Sequence, residues 1–251
     1  MRLATARHGD GPRQVALVHG LGADGSMWRG ITERIVAAGG VTVTTVDLRG
    51  HGASDRSDDY SIRAFADDLV ETLPAGLDLV AGHSLGGTVL ERAVARLAPS
   101  HALYFDPGFR LGLPTEGLAG RLFWATAPVG LTVAGLAQKW RSRGRPALDP
   151  RDDMLRTEAT ERFDRRMAIS VFRDVAHAPA PVAAPAVPST IVLSDDSPAV
   201  LPEATVTRLE ALGWDVRRLP GVGHDFWLED AERTYTSVRD VLIGHGDCGP
   251  S

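Results

Sequence analysis

Six short runs of β-branched and aliphatic residues, at 14–18, 41–46, 77–81, 102–105, 190–193 and 215–219, punctuate the chain, and between most of them lie longer segments with helical apolar spacing, at 28–38, 61–72, 87–97, 202–212 and 230–243. This alternation leaves few architectures open. Parallel strands need long crossovers, and a helix supplies one while covering a face of the sheet. Runs that are apolar at nearly every position read as strands buried on both faces. The expected fold is therefore α/β, a mostly parallel twisted sheet flanked by helices. At 251 residues and 43% hydrophobic content the chain is long enough for one well-buried core.

The alternation fails between residues 108 and 187. Four helix-like segments, 115–126, 129–141, 149–163 and 165–176, follow one another with no strand signal between them. A Pro/Ala-rich stretch at 178–188, stiff and extended by composition, returns the chain to the strand pattern. Two units are expected: a core of 1–107 and 188–251, and a helical cap, or lid, of 108–187, with helices that merely cover a sheet edge as the alternative.

Composition removes several classes of partner. A net charge of -5, with no Lys/Arg run interleaved with aromatics, gives no footprint for nucleic acid. The single cysteine, Cys248, cannot form an internal disulfide, and residues 1–7 lack the apolar core of a secretion signal. A cytoplasmic location is expected. The longest apolar runs, such as 15–18 and 191–193, are far too short to span a bilayer, so no membrane association is expected either.

Ser84 lies in Gly82-His83-Ser84-Leu85-Gly86, directly after one apolar run and before a helical segment. By composition alone about 0.15 chance matches to such a pattern are expected, so its context must carry the argument. A strand, a turn too tight for flanking Cβ atoms and a helix start together expose a serine hydroxyl as a nucleophile. Such a hydroxyl needs a base, and the base an orienting acid. Of eight histidines, His224 is the candidate base, in the glycine-rich Pro220-Gly221-Val222-Gly223-His224 after the last apolar run. His83 reads as packing, and His19 and His51 as loop-shaping residues in turns. The candidate acid is Asp196, which ends Thr190-Ile191-Val192-Leu193-Ser194-Asp195-Asp196; Asp106, after Tyr104-Phe105, and Asp195 are the alternatives. The backbone amides of Leu21 and Leu85 are the candidate donors to a developing oxyanion. The histidines and the lone cysteine show no metal-ligand spacing, and no cofactor is expected.

Taken in order, His19-Gly20-Leu21-Gly22, Asp47-Leu48-Arg49-Gly50-His51-Gly52-Ala53-Ser54, Gly82-His83-Ser84-Leu85-Gly86-Gly87 and Pro220-Gly221-Val222-Gly223-His224 resemble the α/β-hydrolase family over nearly the whole chain. The resemblance implies the α/β-hydrolase fold, a Ser, acid, His triad, a two-amide oxyanion hole and a cap inserted after the sixth strand, matching 108–187. Two departures stand out. The segment before Gln14 is short for the family's opening hairpin, and two carboxylates follow the strand at 190–193 immediately, without the common Gly-x-x-Asp spacing.

The expected activity is that of a serine hydrolase cleaving a carboxylic ester or related acyl bond of a small, largely apolar molecule. Leu118, Leu122, Phe123, Trp124, Val129, Leu131, Val133 and Leu136 suggest an apolar pocket, or equally helix packing, whereas Arg141, Arg143 and Arg145 read as a solvated face. Lactonase, thioesterase, carbon-carbon bond hydrolase and cofactor-free perhydrolase activities would leave the same signature. A ligand-binding protein with a vestigial triad, or a lyase, would too.

Overall fold

The computed structural model describes residues 1–126, 148–196 and 201–244. Seven strands form one sheet: β1 (Thr5–His8), β2 (Arg13–Val18), β3 (Val41–Val46), β4 (Leu79–His83), β5 (His101–Phe105), β6 (Ser189–Leu193) and β7 (Asp215–Arg218). Their order across the sheet is β1-β3-β2-β4-β5-β6-β7, parallel throughout except where β1 pairs antiparallel with β3. The six expected strands are all present, with β4 ending two residues later than its apolar run. The residues before Gln14 contribute one edge strand rather than a hairpin. The insertion therefore follows the fifth strand, one earlier than the family resemblance implies.

Helices α1 (Arg29–Ala38), α2 (Ile62–Thr72) and α3 (Leu85–Leu97) join the first strands, and α7 (Glu203–Ala211), α8 (Phe226–Glu229) and α9 (Ala231–Ile243) the last. Local chemistry fixes several starts. The Asp24 side chain accepts from Ser26 N before the short 3-10 turn Gly25–Trp28 that leads into α1, and Ser61 caps α2 by accepting from Ala64 N. Between β5 and β6 lie α4, described over 117–126, then α5 (Pro150–Arg162) and α6 (Met167–His177). Asp149 caps α5, and Pro150 sits at its first position, where a missing N–H costs nothing. The helix expected at 129–141 lies outside the described residues.

Two apolar layers sandwich the sheet. One packs Ala16, Val18, Val80 and Tyr104 against α2, α3 and α6; the other packs Leu17, Ala81, Leu103 and Phe105 against α1, α8 and α9. Alternate residues of each central strand point into opposite layers, so β2, β4, β5 and β6 have no solvent-facing side. Strand register then places Val18 beside Gly82, His83 beside Phe105 and Phe105 beside Val192. The loops that leave these strands emerge at one rim, where open parallel sheets bind their ligands. Among the described residues no helix is long and apolar enough to cross a membrane.

Candidate active site

Ser84 is delivered to that rim by β4 in a strained conformation, φ 49° and ψ -112°, immediately before α3. The flanking glycines are dictated by space. A Cβ at Gly86 would stand 2.4 Å from Val18 O, and one at Gly82 would stand 2.5 Å from Gly86 O. A Cβ on Gly20 would come within 3.2 Å of Ser84 Cβ, so the 19–25 loop presses directly against the serine. The Ser84 amide continues the sheet ladder to Phe105 O (3.0 Å), and its carbonyl accepts the Gly108 and Thr88 amides, both at 3.1 Å. The serine and the exit from β5 are thereby tied together.

His224 follows β7 on a loop held by carboxylates in different ways. Its ring Nδ1 lies 3.1 Å from Asp106 Oδ2. Its main-chain amide donates to Asp196 Oδ2 at 3.2 Å, while the Gly221 amide donates to Asp195 Oδ2 at 2.8 Å. The structure thus places the candidate acid Asp196 and its alternative Asp195 against loop backbone, and the other alternative, Asp106, against the ring. The reason is where the strands end. Asp106, fully buried with φ 40°, turns back at the end of β5, and its amide bonds Val192 O (3.0 Å). Ser194, at the end of β6, donates its amide to Asp106 Oδ1 (2.9 Å) and its hydroxyl to Asp106 Oδ2. Sequence reasoning passed over Ser194; its position one residue past a strand, facing the neighbouring strand's aspartate, was the available signal.

Burial of the imidazole disfavours its charged form, but the Asp106 carboxylate on Nδ1, with Asp225 and Asp196 nearby, outweighs burial and raises the His224 pKa above its ordinary 6.5. His83 is more than packing. Its Nε2 donates to His224 O (3.1 Å), its ring centroid lies 4.6 Å from that of His224, and its edge contact with Trp227 is 4.3 Å. Burial first, then the neighbouring His224, hold its pKa well below normal, so it stays neutral.

The 19–25 loop is shaped by two buried imidazoles, as expected of His19 and His51. His19 Nε2 accepts the Leu48 amide (2.9 Å) and Nδ1 donates to Gly20 O (2.7 Å). His51 Nε2 accepts the Gly22 amide (3.2 Å) and Nδ1 donates to Arg49 O (3.0 Å). Burial, reinforced by His19, drops the His51 pKa to about 3, which keeps Nε2 available as an acceptor. The amides of Gly22, Ala23 and Gly25 are consumed by His51, Gly20 O and Asp47. Among the described residues, those of Leu21 and Leu85 donate to no protein acceptor. Of the expected cap residues, Leu118 and Leu122 are exposed, and residues 129–145 lie outside the described segments. Among the described residues no cluster of His, Cys, Asp or Glu is arranged to hold a metal ion.

The model of the Alpha/beta hydrolase family matches residues 15–236. The chain belongs to the α/β-hydrolase family. Among curated relatives, a pimeloyl-[acyl-carrier protein] methyl ester esterase of Methylococcus capsulatus is 38% identical over 103 residues, 39% of this chain and 37% of that protein. A Mycobacterium tuberculosis relative is 40% identical over 85 residues, 32% of this chain. That match spans 24% of the relative's own length. Solved structures of the same fold include an enol-lactonase from Burkholderia xenovorans, with TM-score 0.72, 22% identity and 96% of each chain covered. A thermophilic esterase from Thermogutta terrifontis aligns with TM-score 0.71 and 19% identity, covering 96% of this α/β-hydrolase chain and 92% of that one.

Proposed function

We propose that this α/β-hydrolase is a serine hydrolase that cleaves a carboxylic ester, or a related acyl bond, of a small and largely apolar molecule. The observation that carries this reading is the His224 imidazole held by a buried carboxylate, at 3.1 Å from Asp106, on the rim where a strained Ser84 precedes a helix. In the reaction Ser84 Oγ attacks the acyl carbon while His224 Nε2 takes its proton, and Asp106 stabilises the resulting imidazolium. The Leu21 and Leu85 amides receive the oxyanion. The leaving alcohol departs with the proton from His224, and a water activated by the same imidazole then releases the acid. The esterase named among the relatives supports an ester as the bond cleaved. Residues 108–187 act as the cap that shapes the acyl pocket.

The test is labelling by a fluorophosphonate probe, run beside a panel of p-nitrophenyl esters, lactones and thioesters. Labelling confined to Ser84, with labelling and turnover both lost in Ser84→Ala, is the expected result. An unlabelled wild-type protein, or hydrolysis that persists in Ser84→Ala, removes the reading. The preferred member of the panel assigns the bond type.

A further inference from the structure

Three consecutive residues at the corner between α5 and α6 grip the 19–25 loop and the turn beneath it. Arg162 pairs with the buried Asp24 carboxylate at 2.9 Å. The Phe163 ring lies against His51, centroids 5.0 Å apart. Asp164 accepts the Tyr60 hydroxyl at 2.8 Å, and its amide donates to Gly50 O, also at 2.8 Å. His51 carries the contact onward, because its Nε2 holds the amide of Gly22, the residue directly after Leu21. A cavity of about 540 Å³ opens beside the Arg162–Asp24 pair, lined by Asp24, Gly25, Asp47 and Arg162 among others.

The geometry points to Arg162, Phe163 and Asp164 as positioning residues for the oxyanion loop, so that the helical insertion fixes where the Leu21 amide points rather than only covering the site. The inference rests on the proposed role of that amide. An oxyanion donor contributes by being aimed beforehand at the charge that develops, and a small misalignment forfeits much of its effect. None of the three side chains has to touch the substrate for this to hold. Phe163 supports the ring that orients Gly22, and Arg162 anchors the loop at Asp24.

The experiment uses the full chain and compares Phe163→Ala, Phe163→Tyr and Arg162→Gln with the wild type. Turnover of a p-nitrophenyl ester is measured together with inhibition by a trifluoromethyl ketone, whose hemiketal oxyanion draws on the same amides. Complete loss of one oxyanion donor costs about 10²–10³-fold, so a displaced one in Phe163→Ala is expected to lower kcat about tenfold with KM nearly unchanged. The ketone's inhibition constant should rise by the same factor, and Phe163→Tyr should restore both. Arg162→Gln, at a half-exposed side chain, should shift both quantities in the same direction and provides the readout should Phe163→Ala not fold. Unchanged kcat and ketone affinity, or a change in KM or melting temperature alone, overturn the inference while leaving the triad intact. A wild-type protein without turnover or Ser84 labelling overturns both.

Discussion

Asp106 and His224, 118 residues apart in the chain, meet with Oδ2 3.1 Å from Nδ1, and the carboxylate is already held on the same oxygen by the Ser194 hydroxyl. An acid fixed in this way sets both the tautomer and the direction of the imidazole. Asp106→Asn is expected to lower kcat about 10³-fold or more, because the amide can present the wrong partner to Nδ1. The Asp196 carboxylate accepts from the His224 backbone amide, so Asp196→Asn is expected to cost about tenfold or less through loosening of the loop. Ester turnover by the two purified variants decides the matter. The reverse ranking would return the acid role to Asp196.

The same contact predicts a pH profile. In the proposed mechanism His224 must be neutral to accept the Ser84 proton, and its pKa is raised above 6.5, so kcat/KM should fall on the acid side with a midpoint above that value. Asp106→Asn removes the strongest influence opposing burial, and the midpoint should move down, read by NMR titration of the His224 ring where turnover is too slow. The effect on stability has the opposite sense. The protonated, paired His224 stabilises the fold fully below the ordinary histidine pKa, and that contribution is lost as pH rises through the raised folded-state value. Denaturation midpoints across this window should decline for the wild type by more than for Asp106→Asn.

The fold was legible because β2, β4, β5 and β6 are buried on both faces and so leave uninterrupted apolar runs. Ser84 and His224 stand out as candidates for a related reason: tight turns force glycine around them, and glycine clusters are visible in the sequence. Which carboxylate meets the His224 ring was not legible, because Asp106, Asp195 and Asp196 all follow strands, and the answer depends on which way the chain turns after the last strand residue. The positive φ of Asp106 makes that choice, and no local pattern announces it. β1 was missed since all four of its residues are exposed at the sheet edge, leaving no apolar periodicity to read. The bond from His83 to His224 O joins a side chain at the end of β4 to the backbone of the loop after β7, which lies beyond the reach of sequence pattern.

Close packing at the serine turn makes a second class of prediction. Gly86→Ala drives a methyl to 2.4 Å from Val18 O and 2.5 Å from His19 O, main-chain atoms at and just past the end of β2 that cannot rotate away. Backbone must shift, and a destabilisation of about 3 kcal/mol or more is expected, near the upper range for overpacking. Gly76 offers the contrast, with φ 75° and no atom within 4 Å of a new Cβ. There only left-handed strain applies, and Gly76→Ala should cost about 1–2 kcal/mol. Urea unfolding of the two variants separates the effects, and equal losses would show that steric contact at Gly86 is relieved cheaply.

Arg49 presents the remaining large buried charge near the rim. Its guanidinium donates to the fully buried Asp68, to Asp59 O and to Ala64 O (3.1 Å), lacing the turn after β3 to α2. Asp68 also receives the Met1 ammonium. Replacing Arg49 alone strands part of the charge on Asp68 and removes its bonds to two carbonyls, so Arg49→Met is expected to cost about 3–5 kcal/mol in urea unfolding. Removing both charges in Arg49→Met/Asp68→Leu eliminates the stranded carboxylate, and the double variant should recover at least half of that loss even though it lacks the ion pair. A double variant less stable than Arg49→Met would mean that the Met1 ammonium satisfies Asp68 by itself, and that the penalty arises from the lost carbonyl bonds.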